Sequence, residues 1–386
     1  MNNQTTATPK LYIGLDIHKK SWQIEMRTDV CMHRKFSMPP EPGILYEYVS
    51  KHFHDYEVSL AYEIGCCGFG AARYFINLGW NVIVASPADI KHTDKHRYQK
   101  NDKIDSHHLC TELYKNDLRP IFILTEQQEQ LRSLIRQRNH IVKMLRSNKN
   151  HIKSLLLYSS ITIPEQYDNP NWSKDFMQWL KDIDWPYATG KESLQSMIRM
   201  VEHLHKEYLH IGNEVRAYCR RYHHKDYYLL KSIPGIGGYL SAAILGELGN
   251  LRRFNNEREL SNYIGLVPGI YQSDESSRPM GITPRCKSLL RSYIIEAAWV
   301  ALRLNPEYQA YYRKHQGKNN KNIIVKIAHK LVKSMLSVIK NEKPYQINYS
   351  VQAGNRSHNN KTTTLNEQHL LKLIKKSHEP TTKHGG

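Results

Sequence analysis

The chain of 386 residues has few acidic residues for its size. It carries 36 Asp and Glu against 55 Lys and Arg, which gives a formal net charge of +19. Such an excess predicts a polyanionic partner, either nucleic acid or an anionic membrane surface. The chain also lacks an apolar run of membrane-spanning length, and Met1 to Lys10 contain no signal-peptide core. Nucleic acid is therefore the better interpretation.

Cysteine and histidine residues at zinc-ligand spacing are absent as well. The six cysteines contain no CxxC pair, and the 21 histidines are scattered along the chain. These features predict a reduced, cytosolic protein without structural zinc, associated with the nucleoid if it binds DNA. The pair His107-His108 is interpreted as surface residues or phosphate contacts.

Residues 11 to about 115 predict an α/β unit. Leu11, Ile13 and Leu15 alternate with polar or small residues up to Asp16, as in a strand with one buried face. The segments that follow predict three meandering strands, helix, strand, helix, strand and helix. That order matches the RNase H-like fold, in which the first strand neighbours the fourth.

Four carboxylates fall at the ends of these predicted elements. In an RNase H-like sheet Asp16 and Glu63 would end neighbouring strands, and Asp102 and Asp105 would share one face of the last helix. Converging carboxylates repel one another unless a hard cation neutralises them, and Mg²⁺ or Mn²⁺ suits oxygen ligands. Each acid alone has a structural alternative, since Asp closes strands and acids favour helix starts. The four together favour a catalytic metal site.

Two long helices follow. The first has no acid between Gln130 and Pro164 but seven basic residues, among which Arg132, Arg136, Lys143 and Lys149 are candidate nucleic-acid contacts. A charged helix face is usually only solvated, but a run of one sign favours a phosphate backbone. The second helix has a 3,4 repeat that predicts a coiled-coil seam, in an antiparallel hairpin or a dimerisation arm. Its members are Leu194, Met197, Val201, Leu204, Tyr208, Ile211, Val215 and Tyr218.

The third region is mostly helical. A Pro-Gly-Ile-Gly turn between two helices predicts a helix-hairpin-helix-like element, in which Gly235 and Gly237 expose backbone N–H groups to a phosphate. Glycines of an ordinary helix–helix turn are the alternative. Ser273 lies in a predicted polar loop, flanked by Arg285 and Arg291, which are further candidate nucleic-acid contacts. From the residues alone it is only a loop serine.

Five motifs carry a family resemblance. They are GLDIHKK, YEIGCCG at Glu63, NDKIDSHHL, SIPGIG and YIGLVPGIYQSDESSRPMGIT. In their order and spacing the chain resembles insertion-sequence transposases with a RuvC-like DEDD domain. These are bridge-RNA-guided serine recombinases related to the pilin-gene invertase Piv.

The resemblance implies specific roles for the residues at these motifs. The catalytic and metal-binding tetrad would be Asp16, Glu63, Asp102 and Asp105, and the nucleophile would be Ser273. The chain departs from the pattern at Asp274, where many members have Gly, and Ser276 and Ser277 lie close by. The implied cofactor is Mg²⁺ or Mn²⁺. The implied partners are donor and target DNA, a noncoding guide RNA and further copies of the chain, as a dimer or tetramer.

Four regions are expected on these grounds. They are a RuvC-like DEDD catalytic domain (1–120), a coiled-coil and connector region (121–225), a C-terminal transposase domain with the serine loop (226–342) and a polar, disordered tail (343–386). Two other functions stay open at this point. A RuvC-type junction endonuclease would need the tetrad but not Ser273, and a non-enzymatic nucleic-acid-binding protein would explain the charge but not the four acids.

Overall fold

The computed structural model describes residues 8–87, 89, 102–273, 276–282, 286–317 and 319–347. The N-terminal elements are β1 (Lys10–Ile17), β2 (Trp22–Thr28), β3 (Met32–Met38), α1 (Pro42–His52), β4 (Glu57–Glu63), α2 (Gly70–Asn77), β5 (Asn81–Ala85) and α3 (Asp102–Tyr114). The later ones are α4 (Glu126–Tyr158), α5 (Lys174–Asp182), α6 (Ala188–Tyr222), α7 (His224–Lys231), α8 (Gly238–Leu248), α9 (Glu257–Ile264), β6 (Pro268–Ser273), β7 (Ser276–Ile282), α10 (Ser288–Leu304), α11 (Pro306–Lys314) and α12 (Asn320–Asn341). The chain is divided into two compact units, one up to Thr125 and one from Glu126 onwards. Within the ranges just given, no helix is long and apolar enough to span a membrane.

The first unit is built on a five-stranded sheet. Its strand order is β3-β2-β1-β4-β5, with β1 antiparallel to β2 and parallel to β4. This order confirms the prediction that the first strand neighbours the fourth, and it is the order of an RNase H-like sheet. The mixed α/β unit followed by mainly helical structure agrees with the predicted fold class.

The two faces of this sheet follow from the alternation along β1. Leu11, Ile13 and Leu15 are fully buried, in one cluster with residues of α1 and α2 such as Leu45 and Phe75. Successive strand side chains point to opposite faces, so the alternate residues of β1 lie on the other face. That second face is covered by α3, and it carries the candidate active site.

Local sequence signals set several element ends. The strand β3 stops just before Pro39-Pro40, because proline cannot donate to a strand ladder. Pro42 lies in the first turn of α1, where its missing N–H costs nothing. The Asn256 side chain caps the start of α9, and Gly265, at φ +86°, ends it.

In the second unit α4 and α6 pack side by side. Gly212 of α6 lies against the Arg138 side chain, whereas His205 and Tyr208 share a cleft with Lys149, farther along α4. The two helices therefore run antiparallel within one chain, which is one of the two predicted alternatives, and supercoiling remains a prediction. The buried seam of α6 differs from the predicted one at three places: Met197, Tyr208 and Tyr218 are only partly buried, whereas Ile198, Gly212 and Cys219 are buried.

The predicted polar loop that carries Ser273 is instead a β-hairpin. The strands β6 and β7 pair antiparallel, and Ser273 is level with Ser276 in the last pair. Only two residues, Asp274 and Glu275, separate the strands in the sequence, which is a hairpin spacing. The Gly and Ser residues of this segment favour a loop, but Ile270 and Tyr271 favour a strand, and the strand is what forms.

Candidate active site

Asp16 and Glu63 lie at the same end and on the same face of the sheet. The parallel register pairs Leu15 with Tyr62, and both side chains are buried on the opposite face. One residue further on, Asp16 is level with Glu63, and alternation turns both carboxylates toward the α3 face. The Asp16 side chain is only 14% exposed, and Nε2 of His18 hydrogen-bonds its Oδ2 at 2.9 Å.

The helix α3 packs on this face close to β1. The Tyr114 ring meets the Tyr12 ring at 5.3 Å, and the Cys110 thiol donates to the Tyr12 carbonyl at 3.5 Å. A Cβ at Gly14 would lie 2.2 Å from the Ser106 carbonyl oxygen. Only glycine permits this approach. Burial raises the pKa of the Cys110 thiol to about 12, so it acts as a packing group.

The direction of α3 brings its first turn toward the two strand-end carboxylates. Its contacts move from Tyr12 at the helix C-terminus to Gly14 near Ser106, so the helix runs antiparallel to β1. Asp102 begins α3, and Asp105, three residues later in the same first turn, is half-buried. The start of α3 therefore approaches the end of β1 that carries Asp16. The structure describes the backbone of Asp102 but not its side chain.

A buried carboxylate on the same face was not predicted. Glu25 of β2 is level with Gly14 and 1% exposed. His107 hydrogen-bonds its Oε1, and Nζ of Lys35 lies 3.2 Å from its Oε2. A buried charge needs such partners. The interpretation of His107 as a surface residue or phosphate contact is therefore incomplete, because His107 links α3 to the sheet two residues after Asp105.

The donor set at this sheet end suits a hard divalent cation. Carboxylate oxygens are the ligands that Mg²⁺ takes in proteins, and closely placed carboxylates need positive charge. Among the residues whose side chains the structure describes, no cluster of three or more His, Cys, Asp or Glu is arranged to hold a metal ion. Since the Asp102 side chain is not part of that set, the tetrad as a metal site remains a prediction.

The two candidate arginines of the basic helix α4 contact Glu247 within the protein. Arg132 Nη2 donates to the Glu247 carbonyl oxygen at 2.6 Å, and Arg136 donates to both Glu247 carboxylate oxygens at 3.0 and 3.3 Å. The Arg132 and Glu247 side chains are 12% and 4% exposed, and burial lowers the pKa of Arg132. These contacts tie α4 to α8. The Arg136 side chain stays 55% exposed.

The two candidate lysines differ in environment. Lys143 is exposed on α4, as expected for a phosphate contact. Lys149 is half-buried, its ammonium lies 4.9 Å from the centroid of the Trp172 ring, and burial lowers its pKa. A half-buried ammonium beside an indole favours an anionic ligand, because fewer water molecules compete for it than for an exposed lysine.

The two glycines of the predicted phosphate turn have different surroundings. Gly235 has φ +89°, and a Cβ there would lie 2.4 Å from the Ala297 carbonyl oxygen of α10. Tight packing and backbone conformation thus account for glycine at this position. Gly237 is exposed and precedes the first residue of α8, and apart from its chain neighbours no atom of the described part of the chain lies within 4 Å of a Cβ built there. It stays available for a phosphate contact at that helix N-terminus.

The remaining predicted residues belong to the hairpin or follow it in the sequence. Arg291 donates from Nη1 to the Gly265 carbonyl oxygen at 3.2 Å and so supports the end of α9. Ser273 ends β6, and its side chain lies outside the described residues, as does Arg285. The role of Ser273 as nucleophile stays a prediction.

Comparison with known proteins identifies the family. A DEDD transposase model of IS110 elements, described as "Transposase", matches residues 13–159, and a model described as "Transposase IS116/IS110/IS902 family" matches residues 227–313. The chain is 26% identical over 242 residues to a putative transposase, y4qE, of Sinorhizobium fredii, which is 63% of this chain and 58% of that protein. It is 25% identical over 329 residues to the transposase for insertion sequence element IS1328 of Yersinia enterocolitica, covering 77% and 85% of the two chains.

A third relative is a pilin gene-inverting protein of Moraxella bovis. The identity is 30% over 122 residues, which is 30% of this chain and 38% of that protein. The first matched model begins within β1 and includes the whole of α3, so it contains all four predicted carboxylates. These matches confirm the resemblance inferred from the motifs: the chain belongs to the IS110/IS116/IS902 family of transposases.

Proposed function

We propose that the protein is an insertion-sequence transposase that cuts and rejoins DNA through a serine nucleophile, assisted by Mg²⁺ or Mn²⁺ on a carboxylate tetrad. One observation carries the proposal: Asp16 and Glu63 share a sheet end toward which the first turn of α3 is directed. That turn contains Asp102 and Asp105. A structural role for each acid would not require Asp16 and Glu63 to share one sheet end, nor the first turn of α3 to run toward that end.

The chemistry assigned to this site is phosphoryl transfer. The Ser273 hydroxyl oxygen attacks the scissile phosphorus, the ester bond to the departing deoxyribose oxygen breaks, and the hydroxyl proton leaves to solvent or a carboxylate. A serine–phosphate ester then links protein and DNA until a second deoxyribose hydroxyl reverses the step. A divalent cation on the tetrad would supply positive charge that favours ionisation of the hydroxyl and stabilises the departing oxygen. His18 holds one Asp16 oxygen and so orients that carboxylate.

Nucleic acid is the partner that the charge supports. The chain carries a formal net charge of +19, and the exposed Lys143 and Gly237 are suited to phosphate contacts. We assign donor and target DNA to the enzyme as substrates and a noncoding RNA as its guide. A homo-oligomer, dimer or tetramer, would let the serine of one chain act with the tetrad of another.

The proposal is tested by the covalent adduct. Labelled donor DNA is incubated with protein, Mg²⁺ and RNA transcribed from the flanking DNA, and the products are separated on a denaturing gel. Wild-type protein should give a protein–DNA band, and Ser273→Ala should abolish the band and strand exchange while nucleic-acid binding persists. The variants Ser276→Ala and Ser277→Ala are matched controls from the same hairpin and should keep the band.

The same assay separates the transposase from a junction endonuclease. Hydrolysis by water leaves no covalent adduct, although it would need the tetrad as well. Cleavage without a band in the wild-type protein would therefore favour the endonuclease. Normal strand exchange by Ser273→Ala would contradict the assignment of the nucleophile, and loss in Ser276→Ala alone would move it three residues along the chain.

A further inference from the structure

A cleft of about 530 Å³ opens along the paired helices of the second unit. Its walls come from α4, from α6 and from the connector that precedes α5. The cations Arg146, Lys149 and Lys153 line it on α4, and Trp172, His205 and Tyr208 line it on the other two segments. The sequence alone shows these cations as part of a basic helix face, and only the fold brings them beside the rings.

The charge in the cleft is positive. Arg146 is exposed, and Lys149 is half-buried with a pKa lowered by burial. Lys153 lies 3.8 Å from Asp168, whose side chain is 70% exposed, so this ion pair is long and open to solvent. No Asp or Glu is among the described residues that line the cleft. The walls therefore complement an anion.

The aromatic side chains are held in place from outside the cleft. The Trp172 ring packs edge-on against Phe176, with centroids 5.1 Å apart and an interplanar angle of 74°. The Tyr208 ring is supported by the Arg138 guanidinium, 4.1 Å from its centroid, and Arg138 is itself buried. Rings fixed in this way lose little entropy when a planar ligand stacks on them.

We infer that this cleft binds one unpaired nucleotide of a nucleic-acid strand, its base against Trp172 and Tyr208 and its phosphate against the cations of α4. Stacking of bases on aromatic side chains and cationic contacts to the backbone are the usual basis of single-strand recognition. A base inside a duplex cannot reach such walls without leaving its stack, so the cleft selects unpaired positions. The inference rests on the proposed function only in requiring that the protein binds nucleic acid.

The experiment compares hairpin oligonucleotides that differ in one unpaired nucleotide. One member of each pair has a perfectly matched stem, and the other has the same stem with a single-nucleotide bulge. One pair is made of RNA and one of DNA. Binding to the full chain is followed by fluorescence anisotropy. Wild-type protein should prefer the bulged form of at least one of the two acids. The acid that shows the preference identifies the source of the nucleotide.

The variant Trp172→Leu removes the stacking surface but keeps an apolar side chain near Phe176. It should lower the preference for the bulged form by about 5- to 150-fold, as expected for the loss of one stacked base. The matched control is Trp179→Leu, since the Trp179 ring stacks on Phe176, with centroids 5.8 Å apart, and does not line the cleft. It should keep the preference. Arg146→Gln is a second, exposed variant that tests the charge without disturbing the aromatic cluster.

The outcomes separate this inference from the proposed function. Equal binding of bulged and matched stems by wild-type protein, in both RNA and DNA, would overturn the inference that the cleft binds an unpaired nucleotide. It would leave the proposed transposase function untouched. An unchanged preference in both Trp172→Leu and Arg146→Gln would do the same. Absence of any binding to all four oligonucleotides would instead contradict the proposed function. Loss of the preference in Trp172→Leu but not in Trp179→Leu supports the cleft.

Discussion

Replacing Gly14 by Ala tests whether close packing of α3 positions the carboxylates. The added Cβ would lie 2.2 Å from the Ser106 carbonyl oxygen, 2.5 Å from the Cys110 amide nitrogen and 2.7 Å from the Cys110 Cβ. Two of these atoms belong to the backbone of α3, so no change of rotamer can relieve the contact. The helix has to move away from β1 by about 1 Å before the contact becomes an ordinary one.

The cost of this movement has two parts. Overpacking of a well-packed interior typically costs about 1–3 kcal/mol, which corresponds to a fall of roughly 3–15 °C in the melting temperature of a unit of this size. The second part is functional, because Asp102 and Asp105 move with α3 while Asp16 stays on β1. A displacement of about 1 Å at a catalytic centre can lower the rate by about 100-fold.

Thermal unfolding and formation of the protein–DNA adduct measure the two parts separately. Gly14→Ala should retain a folded state with a lower melting temperature and should form the adduct much more slowly. Gly70→Ala is the matched control, because among the described residues no atom outside the local backbone of α2 lies within 4 Å of a Cβ at that position. If Gly14→Ala kept the melting temperature and the rate of adduct formation of the wild type, the packing argument would be refuted.

Two further predictions concern ion pairs in the second unit. Glu247→Ala leaves Arg132 buried without its carboxylate partner and should lower the free energy of unfolding, measured in urea, by about 3–5 kcal/mol. The control Glu192→Ala removes an ion pair on the surface and should lower it by less than about 1 kcal/mol. A hydrogen bond from Lys225 is the largest of the effects that lower the pKa of Glu342. A depressed carboxyl pKa stabilises the fold above the unfolded pKa of about 4.3, and the stabilisation is lost as pH falls through the lower folded value. Glu342→Gln should therefore show a smaller loss of urea resistance than wild type between pH of about 6 and about 3, and an equal loss would contradict the assignment.

The first unit was predictable because its signals are local. The alternation of Leu11, Ile13 and Leu15 gives the strand and its buried face from neighbouring residues alone. The order of strands and helices then restricts the sheet to few topologies, so Asp16 and Glu63 could be placed at one end before any coordinates. The hairpin at Ser273 was missed because Gly and Ser occur in loops and in hairpin strands alike.

Contacts between distant segments could not be read from the sequence. The run of basic residues on α4 predicts a phosphate-binding face. In the fold, however, Arg132 and Arg136 both donate hydrogen bonds to Glu247, which is more than one hundred residues away in the sequence. In the same way nothing in the sequence joins His107 to Glu25. Such pairs depend on how elements pack, and that information enters only with the fold.

The tetrad is tested most directly by metal binding. Mn²⁺ is titrated calorimetrically into the full chain with bound donor DNA, for wild type and for Asp16→Asn, Glu63→Gln, Asp102→Asn and Asp105→Asn. The matched control is Asp55→Asn, a highly exposed carboxylate of the same unit, before the start of β4. The account predicts that each tetrad variant loses or strongly weakens Mn²⁺ binding while the control keeps the wild-type isotherm. Unchanged Mn²⁺ affinity and stoichiometry in Asp16→Asn and Asp105→Asn would contradict it.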